Sequence, residues 1–285
     1  MFAEEKYSGN QLAVIRDAGK LNKMQMQKIA KEMHFSETTF ILSEREHNGG
    51  YDVRIFTPST EVPFAGHPTL GTAYIIKRFL VRGKAEKIVL NLKVGKIPVT
   101  FKKARGGNET LWMKQTPPTF GKTFQAEQFA RLLGVQVSDF ESKYPIQDVS
   151  TGLPFIIVPL KTLDAVKQAT VNRELQQNLA KESQSGILVF CPETCRREND
   201  LHVRVFVDVF GIPEDPATGS GNGCLAAYLS HYKYFGGSRV DARVEQGFEI
   251  ERPSLLHLHA RDYKGAIQVR VGGRVILVAR GELIE

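Results

Sequence analysis

The chain has 285 residues, 42% apolar and 24% charged, with a formal net charge of +7. That size and balance describe a folded globular protein with one large core or two, and exclude a disordered or fibrous chain. Lys and Arg are scattered, with no basic run interleaved with aromatics, so no nucleic-acid or membrane partner is expected; an anionic small-molecule substrate suits the mild positive charge.

No apolar run approaches the roughly 20 residues of a membrane span. Glu4, Glu5 and Lys6 interrupt any signal-peptide pattern at once. Cys191, Cys195 and Cys224 cannot all pair, and the Cys191–Cys195 spacing finds no matching ligand pair elsewhere. A zinc site takes about four ligands, so no metal is expected, and free thiols fit a reducing cytoplasm.

In chain order, the run from Gly9 to Ile15 ends on the apolar Leu12-Ala13-Val14-Ile15. Residues 20–34 follow with Leu21, Met24, Ile29 and Met33 near helical spacing. Thr39-Phe40-Ile41-Leu42 and Val53-Arg54-Ile55-Phe56 read as strands. A turn, Glu61-Val62-Pro63-Phe64-Ala65-Gly66-His67-Pro68, leads into a small-residue helix at 70–76. After a strand at 109–113, Gln115-Thr116-Pro117-Pro118 reads as a linker. Domains are therefore expected at 1–114 and 115–285, with 275–285 as a segment that crosses back. Residues 126–134 end on Gly134, a C-cap signal, and 164–180 form another helix candidate.

The second part then repeats the first. Gly152–Val158 corresponds to Gly9–Ile15, and Gly186–Phe190 to Thr39–Leu42. Val203-Arg204-Val205-Phe206 stands 150 residues after Val53 and its neighbours. Glu214-Asp215-Pro216-Ala217-Thr218-Gly219-Ser220-Gly221 corresponds to the first turn, and Cys224–Leu229 to its helix. Matched blocks in one order imply a duplicated α+β unit, with each helix packed inside a curved sheet.

Each Gly turn opens a helix, where unsatisfied N–H groups and a partial positive charge suit a carboxylate or phosphate. His67 and Ser220 occupy matching positions. A pair of tight turns serving close packing alone is the plainer alternative. Glu37 lies between a helical pattern and a strand, among apolar neighbours that would poise a carboxyl for proton transfer; a helix-cap or surface role is the alternative. Its counterpart in the second half is Ser183, which suggests one acid/base rather than two. His67 reads either as a second acid/base or as structural, and Asp215 as a turn cap. His257 and His259 share a strand face and make a weak metal pair.

Phe35-Ser36-Glu37-Thr38, followed by the 61–69 and 214–220 turns, resembles the phenazine-biosynthesis PhzF-like isomerases. Tyr7-Ser8-Gly9-Asn10, Glu245-Gln246-Gly247 and Arg252-Pro253-Ser254 extend the resemblance over essentially the whole chain. It implies an α+β, diaminopimelate-epimerase-like fold of two pseudo-symmetric domains, each a curved mixed β-sheet around a central helix, with the active site between domains. It also implies a homodimer and proton transfer on a small carboxylate with no metal or organic cofactor. The resemblance gives Glu37 the shuttle and makes His67 and Asp215 the other catalytic groups. Gly66, Thr218, Gly219 and Ser220 would receive the substrate carboxylate, with Asn10 and Gln246 as further contacts. In the related epimerases two cysteines take the acid and base roles; the matching positions here are Ala65 and Thr218. One departure is that Met1 falls inside a motif the family normally precedes with a strand, so a truncated first strand or a late start is expected. The rival readings are an amino- or hydroxy-acid epimerase with two bases, and a non-catalytic binding module.

Overall fold

The computed structural model describes residues 1–82, 85–103, 109–181, 183–208 and 212–284. It divides into two compact units, Met1–Met113 with Gly273–Glu285, and Lys114–Gly272. Among the described residues no helix is long and apolar enough to cross a membrane.

The first unit contains β1 (Ala13–Ile15), α1 (Lys23–Met33), β2 (Thr38–Ile41), β3 (Tyr51–Phe56), β4 (Glu61–Val62), α2 (Gly66–Phe79), β5 (Lys87–Leu92), β6 (Gly95–Lys103) and β7 (Glu109–Lys114). Strand β1 runs parallel to β2, β2 antiparallel to β3, β3 parallel to β5, and β5, β6 and β7 continue antiparallel. The outer face of β2 and β3 packs Phe40 and Phe56, edge to face at 5.3 Å, against Met26 and Ala30 of α1. The helical stretch expected at 20–34 is thus shorter, because Asn22 caps its start in a capping box. Its buried face is centred on Met26 and Ala30, while Met24 is exposed.

The second unit contains β8 (Thr119–Phe124), α3 (Ala126–Leu133), β9 (Ile146–Ser150), β10 (Pro154–Pro159), α4 (Leu163–Gln168), α5 (Arg173–Ala180), β11 (Gly186–Cys191), β12 (Leu201–Phe206), α6 (Gly219–His231), β13 (Val240–Gln246), β14 (Ser254–Tyr263) and β15 (Ala266–Gly273). Here β10 is parallel to β11, β11 antiparallel to β12, β12 parallel to β13, and β13, β14 and β15 antiparallel. The order of parallel and antiparallel pairings is that of β1, β2, β3, β5, β6 and β7, so the sequence repeat is a repeat of topology. The helix expected at 164–180 is two helices, because Asn172 caps a fresh start at Arg173.

Burial explains the sequence pattern. Ile156, Val158, Ile187 and Val189 pack against Phe129, Leu132 and Val166 of the outer helices. On the other face, Phe190 meets Tyr228 of α6 edge to face at 6.1 Å. Strands covered on both faces read as continuous apolar runs. Helix α6 is buried from Gly219 to Ser230, which makes it the central helix of its unit.

Each unit holds its central helix with the same device. Arg54 on β3 donates from Nε and Nη2 to both carboxylate oxygens of Glu61, at 2.8 and 2.9 Å. Arg204 on β12 makes the same fork to Glu214, at 2.9 and 2.8 Å. Each guanidinium also lies over the ring of the phenylalanine two residues on, Phe56 at 5.1 Å and Phe206 at 4.9 Å. The two glutamates sit at the start of the two Gly turns, so the fork ties each turn to the strand before it. The hydrogen bond from Arg54 holds the Glu61 carboxyl down at about 2, against burial and with help from Lys93. Arg204 Nη1 additionally donates to the carbonyls of Val166, Lys167 and Ala169, closing the end of α4.

Removing one member of a buried pair leaves an uncompensated charge, a loss of about 3–5 kcal/mol, whereas a half-exposed pair contributes less than about 1 kcal/mol. Arg204→Met is therefore expected to lower the urea midpoint by the larger amount, and Arg16→Met, which breaks the exposed Arg16–Glu44 pair, by the smaller. Urea titration followed by circular dichroism checks this; equal shifts would contradict the role of the fork.

Candidate active site

In the first unit, three of the predicted residues meet. Glu37 immediately precedes β2, after α1 ends on His34 in the left-handed conformation. His67 is the second residue of α2. Thr39 and Thr72 bind each other through their hydroxyls at 2.8 Å, fixing β2 to α2 beside them. His67 Nε2 lies 3.2 Å from Glu37 Oε2, and His67 Nδ1 lies 3.4 Å from Asn10 Nδ2. Asn10 and His67 are buried, and the Glu37 side chain is 16% exposed. Asn10 reaches the cluster because Gly9 turns at φ +72°, where a Cβ would stand 2.2 Å from the Met1 carbonyl oxygen.

The state of His67 follows from its surroundings. Burial first, and the nearby Met1 ammonium second, push it down to about 3, against the favourable carbonyl of Gln11. At neutral pH it is a neutral imidazole, so its contact with Glu37 is no ion pair. A neutral ring has one donor and one acceptor nitrogen. A carboxyl and an imidazole, two groups that general acid–base chemistry uses, thus stand side by side.

Gly66 begins α2, and its N-cap Ala65 supplies no side-chain cap. Thr218 is the N-cap of α6 and likewise supplies none, because its hydroxyl is engaged elsewhere. It donates to Asp215 Oδ2 at 2.5 Å. Both central helices thus begin on backbone N–H groups with no side chain of their own cap residue satisfying them, the geometry that receives anions. Gly219 and Ser220 are the first two residues of α6 and are buried.

Gln246, assigned to substrate by the resemblance, is committed inside its own unit. Its Oε1 accepts from Thr218 N–H at 3.1 Å and from Asn222 Nδ2 at 2.8 Å. Its Nε2 donates to the Asp215 carbonyl at 2.7 Å and to Thr218 Oγ1 at 3.0 Å. Both donors and both acceptor lone pairs are occupied, which makes Gln246 a brace for the turn. Gly247 lets the next turn pass close by: at φ +78°, a Cβ would meet the Pro216 carbonyl oxygen at 2.6 Å. Asn222 escaped the sequence reading; only its place one helical turn after Thr218 could have flagged it.

Other candidates separate from these clusters. Cys224 is fully buried, and burial pushes its thiol up to about 12, so it is no acid/base. His259 pairs with Asp241 at 2.9 Å on the neighbouring strand. A cavity of about 600 Å³ lined by Gln125, Arg131, Leu175 and others lies along α3 and α5 and contains none of the predicted residues. Among the described residues one set has metal-ligand chemistry: Cys195, His202 and Glu245.

The profile of the phenazine biosynthesis-like proteins (PhzC-PhzF) matches residues 1–281. An uncharacterized isomerase of Clostridium acetobutylicum is 32% identical over 292 aligned residues, covering 99% of this chain and 95% of that protein. The trans-2,3-dihydro-3-hydroxyanthranilate isomerase of Pseudomonas fluorescens is 32% identical over 286 residues, covering 99% and 96%. The crystal structure of a PhzF-family phenazine biosynthesis protein from Bacillus anthracis superposes with a TM-score of 0.92 at 29% identity, covering 100% of this chain and 96% of that one.

A histidine whose folded-state pKa is depressed contributes stability that is complete above its unfolded value of about 6.5 and is lost as pH falls toward the folded value. The resonances of His67 are therefore expected to stay those of a neutral ring at pH 5 in ¹H–¹⁵N spectra, and part of the stability to drain away between about pH 6.5 and 3. A His67 titration centred near 6.5 would contradict this.

Proposed function

The chain belongs to the phenazine biosynthesis-like isomerase family, and on that premise we propose that it shifts a proton between carbons of a small unsaturated carboxylic acid, with Glu37 as the acid/base. The observation that carries this reading is the 3.2 Å contact between a shielded carboxyl and a neutral imidazole. Glu37 removes a proton from one carbon of the substrate and returns it to another. His67 stands against the Glu37 carboxyl at 3.2 Å, and Asn10 orients the ring.

The reaction is redox-neutral and returns the proton it takes, so the residues themselves can carry it through. In this proposal the uncapped start of α2, with Gly66, holds the substrate's carboxylate and the negative charge that develops on proton removal. Donors placed in advance for such charge contribute about 3–4 kcal/mol each in comparable sites. Asp215 fixes the Thr218 hydroxyl and, with Gln246, the shape of the turn.

The epimerase reading needs two bases on opposite faces of one carbon. Glu37 and His67 stand within hydrogen-bond distance of each other and act as one carrier, which favours the single-base isomerase. The relative named for trans-2,3-dihydro-3-hydroxyanthranilate supplies the first compound to try, among other small unsaturated carboxylic acids.

Glu37→Gln keeps the shape and removes the proton acceptor. With a turned-over acid in D₂O, it is expected to retain binding by calorimetry and to lose deuterium incorporation by at least about 10³-fold, the upper part of the range for acid–base groups. Incorporation at the wild-type rate would overturn the assignment, and so would the absence of exchange by wild-type protein across the whole panel.

A further inference from the structure

The segment after β11 closes over β12 and β13 around three chemically different metal-ligand side chains. Cys195, His202 and Glu245 offer ligand atoms that all lie within 4.8 Å of one another. His202 is fully buried on β12; its Nδ1 is 3.0 Å from Glu245 Oε2 and 3.9 Å from Cys195 Sγ. Glu245 is equally buried and held rigidly. Its Oε2 also accepts the Cys195 N–H at 2.8 Å, and its Oε1 accepts the Arg196 N–H at 2.8 Å and Asn199 Nδ2 at 2.7 Å. Cys195 stands on the solvent side.

We propose that Cys195, His202 and Glu245 form a binding site for a divalent cation of zinc-like softness, with its fourth position open to water. One thiolate, one imidazole and one carboxylate make a three-ligand set of the kind Zn²⁺ takes when a position stays open. A second and independent feature supports it. His202 Nε2 lies 2.9 Å from Glu249 Oε1, the outer carboxylate that ordinarily fixes the ring of a metal-bound histidine and leaves its other nitrogen to the metal. Phe248 packs edge-on against the ring at 5.6 Å and closes the inner side.

The cluster is electrostatically ready for the exchange. Both ring nitrogens of His202 face carboxylate oxygens, Nδ1 that of Glu245 at 3.0 Å and Nε2 that of Glu249 at 2.9 Å. The proton between Nδ1 and Glu245 then occupies the place of the cation. When the cation enters, two protons leave, one from Nδ1 and one from the Cys195 thiol, and Sγ, Nδ1 and Oε2 each form one bond to it. The cluster's total charge is unchanged, and Lys167 and Arg204 are among the nearby positive groups. Cys195, being exposed, has the room to close the remaining distance.

The sequence expectation of no metal rested on the missing partner pair for Cys191 and Cys195. The partners lie instead on two other strands, and one is a carboxylate outside any Cys/His spacing rule. Neighbouring strand residues face opposite ways. Glu245 therefore serves this cluster while Gln246 braces the start of α6.

Titration of the full chain with Co²⁺ tests the site. The expected result is one equivalent bound with a sulfur-to-cobalt charge-transfer band and tetrahedral visible bands, displacement by Zn²⁺, and release of two protons measured across buffers. Cys195→Ser, at an exposed position that does not endanger folding, should lose the charge-transfer band. Glu249→Gln should keep the band and weaken binding 10- to 100-fold. Absence of the band in the wild-type protein, its survival in Cys195→Ser, or undiminished affinity in Glu249→Gln would overturn the proposal.

Discussion

The fork between an arginine on a central strand and a glutamate at the head of a Gly turn governs the rest of this molecule. It occurs twice, as Arg54–Glu61 and Arg204–Glu214, with the same bidentate geometry and the same phenylalanine beneath the guanidinium. Burying such a pair costs desolvation that its attraction roughly repays, so its contribution lies more in selecting one arrangement than in net stability. What it selects is the point at which the chain leaves the strand and enters the central helix. Because the turn is held from behind, the helix can begin without a side-chain cap from its own N-cap residue.

That arrangement gives the two units different chemistry on one plan. In the first, the helix start carries His67, and burial keeps the ring neutral beside Glu37. In the second, the matching start is closed into a network of Asp215, Thr218, Asn222 and Gln246. The first is suited to moving a proton and the second to holding a shape. A duplicated fold has thereby become chemically asymmetric. Cys224, the one cysteine in a central helix, is fully buried beside Thr151 and the Leu153 carbonyl, and burial pushes its thiol up to about 12.

Much of this was legible from the residues. The repeat was visible because strands buried on both faces, such as Gly186–Cys191, are continuous apolar runs, and because the Gly turns tolerate few substitutes. The pairing of Glu37 with His67 was not readable from spacing, since the loop before β2 and the head of α2 are brought together by tertiary packing that includes the Thr39–Thr72 contact. The Arg–Phe strands were recognised as a repeat, but their partner glutamates were read only as turn residues; the fork is a tertiary interaction. Residues 164–180 misled as a single helix because Asn172 acts through its side-chain cap, a local effect stronger than the periodicity around it. The Cys195 cluster was invisible for a related reason. His202 and Glu245 are brought together by strand pairing between β12 and β13, and Cys195 joins them from the segment after β11.

If one carboxyl carries the proton, the carrier never leaves the face of the substrate from which it took it. Following a substrate labelled with deuterium at the donor carbon, in ordinary water, tests this most directly. The account predicts that a measurable fraction of the label reappears at the acceptor carbon, on the same face. Label arriving on the opposite face would require a second base and would contradict a single carrier at Glu37.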